Sequence, residues 1–436
     1  MRKSVFPKEV YADRRRRLAS LVPGSAVVLP AWPEFIRNHD TPFKYRQESN
    51  LLYLAGMDEP GSCLIFRAGQ TPETVLFVRE KDIERETWDG FRFGPEAAKE
   101  VFGVDEAYSI DQISEVAPKL LKSCDKVYYS LFRNLEFDGI FASILNSVKE
   151  MNRRSSPGLL PVEDAYTLLG ELRMKKTEVE IEALKTACEI SAQAHLEVFQ
   201  AARPGVSERE LHGLFLYSVM KRGAMGEAYN GIFASGSNAV TLHYVHNENV
   251  LSDGDLFLID AGAEYKNYSG DITRTYPING KFTSAQKELY QGVLNVQEEL
   301  IKMCRPGLLF SELQTYAVDH LTQLMVDLKI LKTSKDQAIE SGEYRKYYPH
   351  GLSHLLGLDT HDGGILVTRG KSRPLEPGWA LTIEPGIYIP ANDETVPAEY
   401  RGIGIRIEDD ILVTEDEPCN MSVSMPKSVA ELERSL

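Results

Sequence analysis

Acidic residues that end or interrupt apolar, β-branched runs are the feature of this sequence that most restricts its fold. A lone carboxylate buried in such a run is so unfavourable that it must be paired, protonated or bound to a cation. Three histidines within residues 350–362 belong to the same half of the chain. The pattern therefore predicts a metal site assembled from distant segments. The four acidic residues are Asp260, Asp271, Glu384 and Glu408.

Size and composition limit the classes of protein that this chain can belong to. A chain of 436 residues is long enough for two or three domains, and we expect a boundary between residues 172 and 173. Hydrophobic residues at 43% and charged residues at 26% are typical of globular proteins. The formal net charge of -15 argues against nucleic acid as a partner, because phosphate binding needs a basic surface.

Neither a membrane span nor a disulfide framework is predicted. No apolar run approaches the roughly 18 residues that a membrane span needs, and the N-terminus lacks the apolar core of a secretory signal. The five cysteines are scattered and show no C-x-x-C spacing. We therefore expect a cytoplasmic protein with no membrane partner.

Alternating strand and helix patterns predict an α+β fold. Residues 1–172 contain short apolar strands among helices and indicate a small α/β domain. The second domain, residues 173–436, begins with an amphipathic helix whose capping box is Thr177 and Glu180. Helices covering curved antiparallel strands are predicted for this domain. Its predicted helices are 207–221, 284–303 and 310–328, and its predicted strands are 255–260, 271–276, 380–389 and 402–413.

Two of the acidic residues are predicted to face each other across a hairpin. If the hairpin closes symmetrically about Tyr265 and Lys266, Asp260 lies directly opposite Asp271. Opposed residues on antiparallel strands have Cβ atoms about 4.5–5.5 Å apart, and like charges there repel. A positive group is therefore expected between them.

The remaining acidic residues extend this set. Alternation over residues 402–408 places Arg406 and Glu408 on the face away from the isoleucines. Glu384 lies at the end of an apolar strand that a Pro-Gly pair terminates. Taken singly, each carboxylate could be a helix cap or a surface charge. Four carboxylates and one imidazole together favour Mn²⁺ or a similar hard cation, and their charge is balanced by two divalent ions rather than one.

The histidine segment does not fit a helical zinc motif. His350 and His354 have the spacing of one helix face, but Gly351 and Gly357 disfavour a regular helix. Leucine, not glutamate, also stands where an H-E-x-x-H motif would require the acid.

Six motifs occur in order along the C-terminal half: Asp255-Leu-Phe-Leu-Ile-Asp260-Ala-Gly, Ser269-Gly-Asp271-Ile-Thr-Arg-Thr, His350-Gly-Leu-Ser-His354, Gly357-Leu-Asp-Thr-His361-Asp, Leu381-Thr-Ile-Glu384-Pro-Gly and Gly402-Ile-Gly-Ile-Arg406-Ile-Glu408-Asp. These motifs, in this order, resemble those of the metal-dependent peptidases of the pita-bread fold (family M24), and within them the Xaa-Pro aminopeptidases, or aminopeptidase P. A less specific resemblance to the smaller N-terminal domain of that family is carried by Tyr45-Arg-Gln-Glu-Ser-Asn-Leu-Leu-Tyr-Leu-Ala-Gly56.

The resemblance implies a division of roles. A metal-bridging hydroxide would attack the carbonyl before proline, with Glu384 handling the proton. Arg406 would act beside the ligand Asp260. The implied metal ligands are Asp260, Asp271, His354, Glu384 and Glu408, with Asp271 and Glu408 bridging two ions, most simply Mn²⁺. The implied catalytic residues are His243, His350, His361, Glu384 and Arg406, and the implied substrate-binding residues are Tyr229, His243, His350, His361 and Tyr388.

Two other functions stay open. A prolidase, which cleaves only Xaa-Pro dipeptides, shares all five ligand types. The sequence of residues 400–406, however, is closer to that of the aminopeptidases. An inactive pita-bread module that binds a partner is disfavoured, because such modules have typically lost metal ligands. The resemblance implies peptides with proline second as substrates, and a homodimer or homotetramer.

Overall fold

The computed structural model describes residues 4–155 and 158–433. The chain divides into two compact units, Met1–Leu172 and Arg173–Leu436. No helix within the described residues combines the length and apolar character that a membrane crossing needs.

The first unit is built on a mixed sheet. Its strand order is β6-β5-β4-β1-β7-β8, with β4 antiparallel to both β1 and β5 and the outer pairs parallel. Helices α5 and α6 bury Leu121, Phe141 and Ile144 against Ile65 and Phe77 of the sheet. The strands are β1 (Ala26–Pro30), β2 (Ile36–Asn38), β3 (Thr41–Pro42), β4 (Cys63–Arg67), β5 (Thr74–Val78), β6 (Glu106–Ser109), β7 (Val127–Tyr128) and β8 (Val162–Glu163). The helices are α1 (Lys8–Leu21), α2 (Ser49–Ala55), α3 (Ile83–Asp89), α4 (Gly94–Phe102), α5 (Ile113–Leu121) and α6 (Leu135–Asn152), and α7 (Ala165–Met174) follows them.

The second unit consists of short antiparallel sheets and long helices. Strand β11 is the middle strand of β10-β11-β14, and β20 is the middle strand of β17-β20-β21. The helices are α8 (Glu178–Ala201), α9 (Glu208–Lys221), α10 (Ser284–Met303), α11 (Phe310–Asp327), α12 (Lys335–Ser341) and α13 (Val429–Leu432). The strands are β9 (Gly226–Glu227), β10 (Ile232–Ser235), β11 (Leu256–Asp260), β12 (Ala263–Tyr265), β13 (Tyr268–Ser269), β14 (Thr273–Pro277), β15 (Val367–Thr368), β16 (Lys371–Ser372), β17 (Ala380–Ile383), β18 (Gly386–Tyr388), β19 (Gly404–Arg406), β20 (Asp409–Leu412) and β21 (Cys419–Asn420).

A large apolar core lies in the second unit. Phe233, Phe257 and Ile383 from the strands pack in the same buried cluster as Phe215 and Leu289 from the helices. Because both faces of β11 and β14 are buried, polar side chains on these strands must find partners inside the protein.

Helix α8 begins as the capping box predicts. Thr177 is the N-cap, and the Glu180 carboxylate accepts a hydrogen bond from the Thr177 backbone N–H at 2.9 Å. This reciprocal cap satisfies backbone donors that the first turn would otherwise leave unpaired.

The predicted register of the acidic hairpin is wrong. Asp260 pairs with Thr273, not with Asp271. The turn lies at Lys266 and Asn267, which have φ of 52° and 68°, so that the hairpin closes one residue later than symmetry about Tyr265 and Lys266 requires. A two-residue turn with both residues at positive φ matches the twist of the flanking strands.

Each of the two last predicted strands is broken in the structure. Residues 380–389 form β17 and β18, with Glu384 and Pro385 between them, and residues 402–413 form β19 and β20, with Ile407 and Glu408 between them. Pro385 has no N–H to continue a ladder. Glu408 pairs only locally, through an isolated bridge to Thr273. Both glutamates therefore lie at gaps between short strands.

Candidate metal centre and active site

A cavity of about 840 Å³ lies at the strand ends of the second unit. Its walls come from β11, from the segments that flank β14, β17 and β19, and from the loops around residues 242–245 and 350–361. The sequence-predicted residues that line it are Tyr229, His243, Asp260, Asp271, His350, His354, His361, Glu384, Arg406 and Glu408.

Three of the predicted ligands are close enough to share one ion. Asp271, His354 and Glu408 each offer a ligand atom, and these atoms all lie within 4.8 Å of one another. His354 Nε2 also lies 3.5 Å from Glu384 Oε1. The structure therefore brings four of the predicted ligands into one group.

The fifth predicted ligand, Asp260, is linked to this group through a tyrosine. The Tyr229 hydroxyl lies 2.7 Å from Asp260 Oδ1 and 2.5 Å from Asp271 Oδ1. Burial, and after it the charges of the two aspartates, raise the pKa of Tyr229 well above its ordinary value. The hydroxyl therefore stays protonated and acts as a hydrogen-bond donor to these carboxylates. Sequence analysis predicted Tyr229 as a substrate contact, whereas the structure places its hydroxyl between two carboxylates.

Arg406 is the cation next to Asp260. It is 4% exposed, and its Nη2 donates to Asp260 Oδ2 at 2.5 Å while its Nη1 donates to the Tyr388 hydroxyl at 2.9 Å. Its Nε donates to Thr273 Oγ1 at 3.2 Å. Burial lowers the pKa of Arg406, but Tyr388, Asp260 and Glu408 raise it more, and the guanidinium stays charged. One side of Asp260 is thereby neutralised.

The imidazole of His354 is held with one nitrogen facing the carboxylates. Its Nδ1 lies 3.1 Å from the Leu355 carbonyl oxygen, to which it donates, and this leaves Nε2 directed at Asp271 and Glu384. Such a hydrogen bond is the usual way in which a protein fixes the tautomer of a metal-binding histidine. Burial lowers the pKa of His354, but the hydrogen bond and charge of Asp271 raise it more, to about 9.

The glutamates show how unfavourable the cluster is without a counter-ion. Burial, with repulsion from Asp271 and Asp260, raises the pKa of Glu384 to about 8, although His354 and Arg406 act in the opposite direction. Burial and repulsion from Asp271 and Glu384 raise the pKa of Glu408 well above its ordinary value. Carboxylates forced together in this way are stabilised by divalent cations, and the oxygen-rich donor set fits hard ions.

The three other predicted histidines surround the carboxylate cluster. His243 and His361 line the cavity, and the His361 ring lies 4.2 Å from the His354 ring. His350 Nε2 lies 2.8 Å from the Tyr388 hydroxyl, and burial followed by the charge of Arg406 lowers the pKa of His350 to about 4. Tyr388 is 2% exposed, and among the described residues it lies behind the cavity wall rather than in it.

A layer of residues behind the ligands was not predicted from the sequence. Thr273 Oγ1 donates to Glu408 Oε2 at 2.6 Å, and Thr382 Oγ1 lies 3.3 Å from Glu384 Oε1. Asp410 Oδ2 accepts the Asp271 N–H at 2.8 Å and also lies 3.1 Å from Cys188 Sγ. The two further carboxylates that directly follow Glu408 in an apolar run are the sequence signal that could have indicated this layer.

Asp409 belongs to a separate buried ion pair. Arg274 Nη2 donates to Asp409 Oδ1 at 2.6 Å, and both side chains are fully buried. Arg274 Nη1 also donates to the Glu408 carbonyl oxygen at 2.6 Å. Lys427 and Gln297 donate to Asp409 Oδ2 at 2.6 and 2.9 Å. This pair fixes the backbone that carries Glu408.

The fold and the donor set together define a metal-dependent hydrolase site, and comparisons with known proteins agree. Residues 182–415 match metallopeptidase family M24, and residues 11–128 match the aminopeptidase P N-terminal domain. The chain is 41% identical to the Xaa-Pro aminopeptidase of Escherichia coli (strain K12), over 99% of this chain and 98% of that relative.

Solved structures give the same result for the fold. The structure of Pseudomonas aeruginosa aminopeptidase PepP matches with a TM-score of 0.94 and 39% identity, over 98% of this chain and 97% of that one. Zinc-substituted Escherichia coli aminopeptidase P in complex with product matches with a TM-score of 0.93 and 40% identity, over 98% of both chains. The predicted α+β fold is thereby confirmed, and the chain belongs to metallopeptidase family M24.

Proposed function

We propose that this protein is a metal-dependent Xaa-Pro aminopeptidase, which releases the N-terminal residue from peptides with proline in second position. The observation that carries the proposal is the group of four carboxylates and one imidazole that lines a single cavity. Full-length similarity to a protein named Xaa-Pro aminopeptidase supports the substrate class.

Two divalent cations, most simply Mn²⁺, form the proposed cofactor. The proposed ligands carry four formal negative charges, which two divalent ions balance, and their oxygen atoms favour hard cations. Such ions supply Lewis acidity and activate water at neutral pH. The residues that would hold the ions are Asp260, Asp271, His354, Glu384 and Glu408.

Glu384 is the proposed proton carrier. Its carboxylate lies in the cavity wall, where Thr382 Oγ1 and His354 Nε2 contact Oε1 and leave Oε2 on the side of His350. A carboxylate in this position is suited to accept a proton from the nucleophilic water and to deliver it to the departing amine.

Three histidines are proposed to bind the substrate around the scissile bond. His243 and His361 line the same cavity as the carboxylates, and we assign to them the carbonyl oxygen and the prolyl nitrogen. His350 is assigned to the proline pocket. Because the pKa of His350 is lowered to about 4, its imidazole is neutral at physiological pH and presents an uncharged surface to the proline ring.

Arg406, Tyr388 and Tyr229 act through other residues in this proposal. Arg406 neutralises one side of Asp260 and contacts the Tyr388 hydroxyl, which in turn contacts His350 Nε2. This chain of hydrogen bonds orients a proposed ligand and a proposed substrate-binding histidine together. Tyr229 orients Asp260 and Asp271 in the same way.

Further parts of the proposal concern organisation. We propose residues 1–172 and 173–436 as the two domains, with the catalytic groups in the second, and a homodimer or homotetramer as the assembly. The net charge of -15 supports peptides rather than nucleic acid as the partner. The free thiols of all five cysteines support a reducing, cytoplasmic compartment.

A comparison of peptide substrates tests this function. Metal-stripped protein receives Mn²⁺, and the release of products is measured from matched Xaa-Pro-Yaa tripeptides and Xaa-Pro dipeptides. We expect cleavage of the tripeptides at the Xaa-Pro bond. Preference for the dipeptides would indicate a prolidase instead. Folded, metal-loaded protein that cleaves neither substrate would reject the enzyme and favour an inactive binding module.

A further inference from the structure

One wall of the cavity is a loop that contains no helix or strand. Residues 242–248 follow a short 3₁₀ turn, and Leu242, His243 and Val245 of this segment line the cavity. Within the described part of the chain, no backbone-to-backbone hydrogen bond involves residues 242–248. His243 itself is exposed. The position of this wall must therefore depend on side chains.

Glu208 is the principal anchor behind this wall. It is the first residue of α9 and is fully buried, so its carboxylate must be satisfied by protein donors. Oxygen Oε1 accepts from Ser235 N at 2.7 Å, Ser235 Oγ at 2.7 Å and Asn238 Nδ2 at 3.1 Å, and Oε2 accepts from Tyr244 OH at 2.9 Å and Asn249 N at 2.9 Å. Five donors thus converge on one carboxylate.

The contacts of Glu208 span the whole loop. Tyr244 directly follows His243, and Asn249 N–H lies at the far end of the segment. The Tyr244 hydroxyl also accepts the Glu248 N–H at 3.2 Å, so the loop curls around this one side chain. The Tyr244 ring packs against the apolar cluster of Ile232, Ala234, Ala239 and Leu258.

A second buried side chain supports the loop from its other side. Asn247 is 2% exposed and has a φ of 50°. Its Oδ1 accepts the Phe233 N–H at 2.9 Å, and its Nδ2 donates to the Gly231 carbonyl oxygen at 2.9 Å. Asn247 ties the loop to β10, whereas Glu208 reaches Tyr244 next to His243.

We propose that Glu208 is a positioning residue for substrate binding, which holds His243 and the neighbouring apolar side chains at the distance that the substrate requires. The catalytic consequence rests on the proposed function. A carboxylate suits this task because each oxygen accepts several hydrogen bonds and donates none, and hydrogen bonds to a charged acceptor are the stronger kind.

Glu208→Gln tests the proposal with little change in shape. One carboxylate oxygen becomes an NH₂ group that faces donors, so the backbone N–H on that side, from Ser235 or from Asn249, loses its acceptor. We expect KM for an Xaa-Pro-Yaa tripeptide to rise about tenfold, the factor that corresponds to the loss of roughly 1.4 kcal/mol. The value of kcat should fall less than about threefold, and the bound metal should stay unchanged. Glu210→Gln, an exposed change on the same helix, is the matched control.

A rise in KM with little change in kcat separates a positioning role from a merely structural one. A variant that is only partly folded has fewer active molecules, which lowers apparent kcat and leaves KM unchanged. Tyr244→Phe is the second variant; it removes the hydroxyl that donates to Glu208 and accepts the Glu248 N–H, and it keeps the ring. We expect its KM to rise about threefold, and the KM of the double variant should rise by less than the product of the two single effects, because the two changes share one contact.

Hydrogen exchange supplies a readout that needs no activity. In Glu208→Gln, deuterium uptake should increase in residues 235–249 relative to the wild type and to Glu210→Gln, because either the Ser235 or the Asn249 amide, whichever faces the new NH₂ group, loses its acceptor. Unchanged uptake would overturn the proposal, and so would increased uptake with KM within twofold of the wild type. If Glu208→Gln does not fold, KM and deuterium uptake of Tyr244→Phe test the proposal in its place. If the wild type cleaves no Xaa-Pro peptide, the proposed function fails, while exchange still tests the hold of Glu208 on the loop.

Discussion

Without metal, the stability of the second unit should fall as the pH rises, and Glu384 should be a main cause. Burial and neighbouring carboxylates raise the pKa of Glu384 from 4.5 to about 8 in the folded chain. The folded state therefore holds this proton more tightly than the unfolded state. Below pH 4.5 this carboxyl is protonated in both the folded and the unfolded state, and no stability is lost. Stability falls between pH 4.5 and 8, and the full cost is present above pH 8.

The size of the effect follows from the two pKa values. Their difference, at about 1.36 kcal/mol per pH unit, gives roughly 5 kcal/mol. Glu384→Gln provides the comparison, because glutamine keeps the shape of the side chain and does not titrate. The assay is guanidinium unfolding of both metal-stripped proteins, in excess chelator, at pH 5 and pH 8.5.

We expect the two proteins to differ by less than about 1 kcal/mol at pH 5, since the wild-type carboxyl is then mostly neutral like the amide. At pH 8.5 the glutamine variant should be more stable, by up to about 5 kcal/mol. Saturating Mn²⁺ should reverse this order, because a cation that binds the folded state stabilises the wild type more. A difference between the two proteins that does not change with pH would refute the reasoning.

Three further predictions concern residues around the same cavity. Asp271→Asn should lower the metal content and abolish turnover, as measured by elemental analysis and peptide cleavage; wild-type rates would contradict the assignment. Tyr229→Phe should weaken metal binding about 10- to 100-fold, because the hydroxyl that orients Asp260 and Asp271 is lost; a competition titration that gives wild-type affinity would contradict it. Arg274→Met should leave Asp409 buried and less well paired and cost about 3–5 kcal/mol in guanidinium unfolding; a loss under about 1 kcal/mol would contradict the ion-pair argument.

Local patterns were sufficient to predict much of the secondary structure. The helix over residues 284–303 has the predicted bounds, and its N-cap Thr283 forms a capping box with Gln286. The strand predicted at residues 255–260 begins one residue later, at Leu256, and ends at Asp260 as predicted. These elements were predictable because the signals that define them, apolar periodicity and capping residues, lie within the elements themselves.

Register and strand breaks could not be predicted in the same way. Closure of the acidic hairpin depends on Lys266 and Asn267 accepting positive φ. Moving the turn by one residue shifts the pairing by two residues, which keeps every side chain on the same face, so the apolar pattern does not distinguish the two registers. The gaps at Glu384 and Glu408 depend on pairing with strands from other parts of the chain. Sequence spacing alone does not contain that information.

The site residues likewise fall into a group that could be predicted from the sequence and a group that could not. The four proposed carboxylate ligands were conspicuous as charges in apolar runs, His354 joined them through the family resemblance, and all five line one cavity. Residues that act through other side chains were harder to predict. Glu208 opens an ordinary amphipathic helix, and its five donors come from segments up to 41 residues away. Tyr229 likewise gives no local sign that its hydroxyl lies between two aspartates.

Titration of the metal-stripped protein with Mn²⁺ tests the proposed centre most directly, if bound ions are counted and Xaa-Pro-Yaa cleavage is measured on the same samples. We expect two ions bound per chain, with cleavage at the Xaa-Pro bond appearing as they bind. Folded protein that takes up no Mn²⁺, or that takes up two ions and still cleaves no such peptide, would contradict the proposal.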